Sequence, residues 1–232
     1  MSKKCGALDF NLGCSGYIYG LALCKGLIKS SIAKNILFIT SETYSKFIHS
    51  KDKGNLSIFS DGASASIISD SGLAEILNFE LGTDGSGYNH LIVKEGGIKN
   101  RNFTNNYENN KSGKIKTSSY LYMNGPEIFS FTIKKIPGLI KSVIEKNYLK
   151  FNQVNLFIFH QASKVVLDHI KKKNKIPDEI FYNNLESFGN TVSSTIPIAL
   201  KEAIDKKKCN GFVLLAGFGV GLSWGGVILK FN

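Results

Sequence analysis

The sequence predicts an α/β fold in which helices and strands stack in layers. Three observations predict it. Short runs rich in branched aliphatics and Phe, NILFIT (35–40) and VNLFIF (154–159), alternate with amphipathic helical patterns. Glycine and asparagine turns mark the junctions, as at Gly13-Cys14-Ser15-Gly16 and Gly189-Asn190. The 232 residues, 43% hydrophobic, suffice for one large domain or two small ones with ordinary cores.

Taken in order, Ala7 to Leu12 is an apolar run that reads as a strand over 6–12. Tyr17, Ile18, Leu21, Leu23, Leu27 and Ile28 then recur at helical spacing, predicting a helix over 15–31. Strand 35–40 follows, then a loop, then a strand pair around 55–60 and 63–69 joined by Ser60-Asp61-Gly62. Ile67, Ile68, Leu73, Ile76 and Phe79 continue the strand material. Residues 99–119 are rich in Asn, Lys and Ser with few apolar anchors, and read as an exposed excursion. From Gly125 a helical pattern runs to about Tyr148, and Pro137 either kinks it or divides it into two helices. Strand 154–159, helix 162–173, strand 179–183, helix 192–206 and a glycine-rich hairpin over 212–230 complete the order.

The segment from Phe212 to Leu229 is the one stretch with the look of a membrane span, and its Gly217-x3-Gly221-x3-Gly225 spacing imitates a helix-packing motif. Its glycines, with Gly219 and Gly226 added, make a poor helix. Two strands around a turn fit better. Met1-Ser2-Lys3-Lys4 leads into a strand and not into a long apolar segment, so a secretory leader is not expected.

Cys5, Cys14, Cys24 and Cys209 form no CxxC pair and no His/Cys group at metal-ligand spacing, which fits cytosolic thiols without a metal. The formal net charge is +11, carried almost wholly by lysine, since Arg101 is the only arginine. Arginine is the usual bidentate reader of bases and phosphates, so nucleic acid is not expected as a partner, and with Phe212 to Leu229 read as a hairpin neither is a membrane. Lys171-Lys172-Lys173 and Lys206-Lys207-Lys208 fall near predicted helix ends, where cations suit the dipole. An acidic partner protein or a phosphorylated carrier suits the same charge.

Cys14 stands where a strand turns into a helix. Main-chain N–H groups and the positive end of the helix dipole beside its sulfur would favour thiolate, as a nucleophile needs. A small buried residue at a tight turn reads the same way. His160 directly follows the 154–159 strand, at the strand end where open α/β folds place ligands. Asn190, in SFGNT (187–191), occupies another loop-to-helix junction, where a helix cap is the plain alternative. His49, His90 and His169 sit in polar or amphipathic settings and receive no role. The order Cys, His, Asn also occurs in papain-type cysteine hydrolases. That reading suffers because Cys14 is followed by Ser15-Gly16-Tyr17 without that family's Cys-Gly-Ser-Cys element, and the downstream half is βα alternation.

DFNLGCSGYIYGL, IFSDGASASII, LGTDGSGYNHL, MNGPEIFSF, FHQAS, ESFGNTVSSTIPIAL and GFGVGLSWGGVIL occur in this order from about Gly6 to Phe231. Together they resemble 3-oxoacyl-(acyl-carrier-protein) synthase III and its thiolase-like relatives. The resemblance implies a thiolase-like layered α/β/α/β/α fold of two domains, an incomplete N-terminal half over 1–80 and a C-terminal half over 81–232, since about the first hundred family residues look absent. It implies a decarboxylative condensation in which Cys14 carries the acyl group while His160 and Asn190 stabilise the enolate of a malonyl carrier. The backbone N–H groups of Cys14 and Val220 would form a second oxyanion hole, and Phe59 and Phe131 are candidates for lining the acyl pocket. The implied substrates are an acyl-CoA and a malonyl acyl-carrier protein, with no cofactor and no metal. The implied assembly is a cytoplasmic homodimer paired through Asn35–Thr40. Many relatives carry an arginine five residues after the motif histidine, where this chain has Val165 beside Lys164. That departure fits a different carrier, so a specialised short-chain acyl synthase stands beside fatty-acid initiation. A truncated inactive paralogue, or half of a split synthase needing a separate N-terminal fragment, is the further alternative.

Overall fold

The computed structural model describes residues 3–98 and 118–232, with the backbone of 108–109 and 115–116. The expected 99–119 excursion thus lies almost wholly outside the described residues. Helix α1 (Gly16–Lys29) buries Tyr17, Ile18, Leu21 and Cys24, the stripe its sequence period predicts. Strand β1 (Asn35–Glu42) pairs antiparallel with β2 (Gly62–Ser69) from Asn35↔Ser69 to Glu42↔Gly62. Strand β3 (Ala74–Thr83) then leaves this pair and joins a larger sheet.

Helix α2 (Gly125–Lys146) is one helix, capped by Asn124 and running through Pro137. Proline removes one donor and frees the carbonyl four residues earlier. Lys173 supplies the substitute, its Nζ donating to the Ile133 carbonyl at 3.1 Å. Strand β4 (Val154–Phe159), helix α3 (Lys164–Lys173), the two-residue strand β5 (Phe181–Tyr182), helix α4 (Thr195–Asp205) and the antiparallel strands β6 (Phe212–Gly219) and β7 (Ser223–Phe231) follow. Their sheet has the order β3-β7-β6-β4-β5, with β4 parallel to both neighbours.

Alternation along β4 and β6 divides the core. Phe157, Phe159, Leu214 and Ala216 face Ile136, Leu139, Val143 and Leu167 of α2 and α3. Leu156, Ile158, Val213 and Leu215 face Ile18, Leu21, Ile196 and Ala199 of α1 and α4. A sheet covered on both faces reads as continuously apolar strands, which is why VNLFIF shows no polar alternation. Phe38 of β1 stacks on Tyr17 of α1 at 5.3 Å, so the β1–β2 pair forms the next layer. The layers are thus α/β/α/β. The fifth, helical layer is not found among the described residues, and Leu37, Ile39 and Ile67 of β1 and β2 are exposed. No helix among the described residues is long and apolar enough to cross a membrane.

Four element expectations are corrected. Residues 6–12 form no ladder, because no described strand lies alongside to take their N–H and C=O groups. The expected 55–60 strand begins instead as a helical turn, Lys53–Leu56, capped by Asp52, whose side chain accepts from the Asn55 N–H at 3.1 Å. Strand 179–183 shrinks to β5, since 178–180 form a 3₁₀ turn. Helix 192–206 starts late, because Val192 has φ 55° and Val192–Ser194 form a 3₁₀ turn. The boundary expected between residues 80 and 81 falls inside β3.

Candidate active site

The site lies at the C-terminal ends of β4 and β6, adjacent parallel strands with Phe159 opposite Ala216. Cys14 occupies the turn ahead of α1 and is 4% exposed. The turn is closed by the Gly16 N–H donating to the Gly13 carbonyl at 2.7 Å, and Ser15 Oγ lies 2.6 Å from Ser223 Oγ on β7. Glycines let β6 pass directly beneath the nucleophile. A Cβ on Gly219 would lie 2.7 Å from Cys14 Cβ and 2.8 Å from its Sγ, and one on Gly217 would lie 2.7 Å from the Cys14 carbonyl.

The main-chain N–H groups of Val220 and of Cys14 itself favour the thiolate and pull the Cys14 pKa down. Burial outweighs them. It pushes the thiol up to about 12, and the nearby Glu42 carboxylate adds to the rise. The thiolate expected from the elbow is therefore corrected to a thiol. A helix terminus contributes about 0.3–1 kcal/mol, less than one pKa unit, whereas desolvation moves a buried group by up to about 3–5 units.

His160 leaves β4 with its N–H donating to the Ala216 carbonyl at 2.8 Å. Its ring packs edge-on against Phe218 at 5.6 Å and its Nδ1 lies 2.7 Å from Thr195 Oγ1. Burial depresses its pKa to about 3, so the imidazole is neutral. Asn190 is bridged to Phe59, its N–H donating to the Ile58 carbonyl and its carbonyl accepting from Ser60, both at 3.0 Å. Its Oδ1 accepts the Val192 N–H at 2.9 Å, and its Nδ2 donates to the Ala162 carbonyl at 3.1 Å. That leaves one amide hydrogen without a protein acceptor in these contacts. Asn190 does not cap α4, whose N-cap is Ser194.

Phe59 shares an apolar group with Cys14, Ile48, Leu91, Leu121 and Val192, flanked by Tyr44 and Val220. Phe131 does not. It packs 5.8 Å from Trp224 within the α2–α3 core, because its place on α2 faces the sheet. Sequence reasoning missed Glu42, Tyr44, Ser193 and Thr195. Glu42 ends β1, takes hydrogen bonds from the Ser193 hydroxyl and from its N–H (3.3 Å), and has its pKa raised by burial. The one available signal was the acid closing the NILFITSE run. Among the described residues no group of three His, Cys, Asp or Glu side chains is placed to hold a metal. Val165 is exposed on α3, beside Lys164, whose Nζ is 3.9 Å from Asp168.

Comparison with known proteins gives one family. The profile described as 3-oxoacyl-[acyl-carrier-protein] synthase III matches residues 8–85, and the profile for its C-terminal part matches 144–231. A beta-ketoacyl-[acyl-carrier-protein] synthase III of Clostridium perfringens is 36% identical over 235 residues, covering 99% of this chain and 69% of the relative. One from Fusobacterium nucleatum is 35% identical over 232 residues, covering 98% and 68%. A 2.1 Å crystal structure of a 3-oxoacyl-(acyl-carrier-protein) synthase III superposes with a TM-score of 0.95 at 39% identity, over 100% of this chain and 70% of that one. The Thermus thermophilus synthase gives 0.83 at 31%, over 95% and 66%. The papain-type reading falls to these matches. They do not support the expectation that about the first hundred residues are missing. The 69% share compares lengths and assigns the remainder to neither end.

Proposed function

The chain belongs to the 3-oxoacyl-[acyl-carrier-protein] synthase III family, and from that premise we propose how its residues divide the condensation between them. It is an acyltransferase. In the first half-reaction Cys14 Sγ attacks the carbonyl of an acyl-CoA. The carbon–sulfur bond to CoA breaks, a new one forms to Cys14, and the proton passes from the Cys14 sulfur to the CoA sulfur.

In the second half-reaction the malonyl carrier loses CO₂. The bonding pair moves into an enolate whose oxygen accepts hydrogen bonds from neutral His160 and the open Asn190 amide hydrogen. The enolate carbon attacks acyl-Cys14, the N–H groups of Cys14 and Val220 hold the tetrahedral oxyanion, and collapse breaks the bond to Cys14, releasing the 3-oxoacyl carrier and a Cys14 thiolate that takes a proton from water to return to the thiol. The observation that carries this reading is the seat of the buried Cys14 on Gly217 and Gly219 of β6, where the main-chain N–H groups of Cys14 and Val220 favour negative charge on its sulfur. The apolar group of Phe59, Ile48, Leu91 and Leu121 beside it suits a short acyl chain. The carrier docks at the exposed Lys164–Val165 surface. The protein works in the cytoplasm as a homodimer, paired through the edge of β1 that faces away from β2, with no bound cofactor.

His160→Ala and Asn190→Ala test the division of labour. Each is expected to form the acyl-Cys14 adduct, seen by intact mass, while condensation falls by about 10²–10³-fold, as on loss of an oxyanion donor. Loss of the adduct in either variant contradicts it.

A further inference from the structure

A neutral imidazole carries one proton, on Nδ1 or on Nε2, and only Nε2–H lets His160 donate to an enolate beyond its Nδ1 contact. The Thr195 hydroxyl also has one proton and two groups within reach of it. His160 Nδ1 lies at 2.7 Å and the Val192 carbonyl at 3.0 Å. If the proton goes to Val192, the ring must donate from Nδ1 and present a bare lone pair at Nε2. If it goes to Nδ1, the ring presents Nε2–H.

Two features favour donation to the ring. The Val192 carbonyl already accepts the Thr195 N–H, so it is satisfied without the hydroxyl. The 2.7 Å separation matches an O–H donor, near 2.7–2.8 Å, better than an N–H donor, near 2.9–3.0 Å. Val192, held at φ 55°, ties the two donors together. Its N–H fills Asn190 Oδ1 and so turns the amide nitrogen outward, while its carbonyl, within reach of the Thr195 hydroxyl, favours the protonated His160 ring. The hydroxyl therefore decides between two otherwise competing tautomers.

We infer that Thr195 is a positioning residue that donates its hydroxyl hydrogen to His160 Nδ1 and thereby holds the ring as the Nε2–H tautomer. The inference rests on the reading that His160 donates to the enolate. Thr195→Val removes the hydroxyl at nearly constant volume, so Nδ1 loses its hydrogen-bond donor and the proton is expected to move to Nδ1.

The test is long-range ¹H–¹⁵N correlation on ¹⁵N-histidine-labelled protein. His160→Gln assigns its signals among those of the four histidines. The wild type and Thr195→Ser are expected to show protonated Nε2, and Thr195→Val protonated Nδ1. Condensation is expected to fall about 10²-fold in Thr195→Val and to recover in Thr195→Ser. Protonated Nδ1 in the wild type overturns the inference, whether or not the valine variant folds. So does a folded valine variant that keeps both Nε2–H and full condensation. A wild type with Nε2–H that forms the adduct but never condenses sinks the reaction assignment and leaves the tautomer assignment standing.

Discussion

Cys14 is held as a thiol by burial and by a carboxylate, although the two N–H groups at its sulfur act the other way. Glu42 raises the thiol pKa because a second negative charge nearby disfavours thiolate. Glu42→Gln removes that charge and keeps an acceptor for the Ser193 hydroxyl. The pH midpoint of Cys14 alkylation by iodoacetamide is therefore expected to move to lower pH, so that alkylation at pH 8 is faster than in the wild type. An unmoved midpoint contradicts the electrostatic account. At this scale the places of Cys14, His160 and Asn190 at junctions between elements were legible from the motifs around them. Glu42 and Thr195 were not. Glu and Thr occur everywhere in such a chain, and only the fold brings Thr195 to His160. Phe131 misled for the same reason, since an aromatic on a helix carries no sign of which side of the sheet it packs against.

At the scale of elements, the glycine-rich hairpin exists because the turn carrying Cys14 must lie on β6 without side chains between them. Gly219→Ala puts a methyl group 2.7 Å from Cys14 Cβ and is expected to destabilise the protein by about 1–3 kcal/mol in urea denaturation. Gly26→Ala in α1 has nothing within 4 Å of the new Cβ and is expected to be neutral or stabilising by up to about 1 kcal/mol. Equal stability of the two variants contradicts the packing argument. β4 and β6 were legible from unbroken apolar runs. The 6–12 run, with Asp9 and Asn11 among its apolar residues, was read the same way and forms no ladder, because strand pairing depends on a neighbour that local sequence does not specify. Pro137 was read as a kink in one helix or a junction of two; the structure has one helix, and the carbonyl that proline frees takes a donor from Lys173, far along the chain.

For the whole molecule, the division into a sheet clad by helices on both faces and an outer strand pair follows from the two apolar phases of β4 and β6. The positive charge plays no part in that core. Lys171 to Lys173 occupy the last turn of α3, Lys171 pairs with Asp178 at 2.6 Å, and Lys206 follows the end of α4. Surface pairs of this kind contribute about 0–1 kcal/mol each. The layering brings Cys14 and His160 to the C-terminal ends of β6 and β4, with Asn190 tied to the Ala162 carbonyl beside them, and the proposed chemistry requires this assembly to accept an acyl group on Cys14. The most direct measurement is the intact mass of the purified chain after exposure to a panel of acyl-CoA thioesters, with Cys14→Ser alongside. The account predicts a single acyl adduct that appears in the wild type and is absent from Cys14→Ser. An adduct that persists in Cys14→Ser, or none in a folded protein whose Cys14 still alkylates, contradicts it.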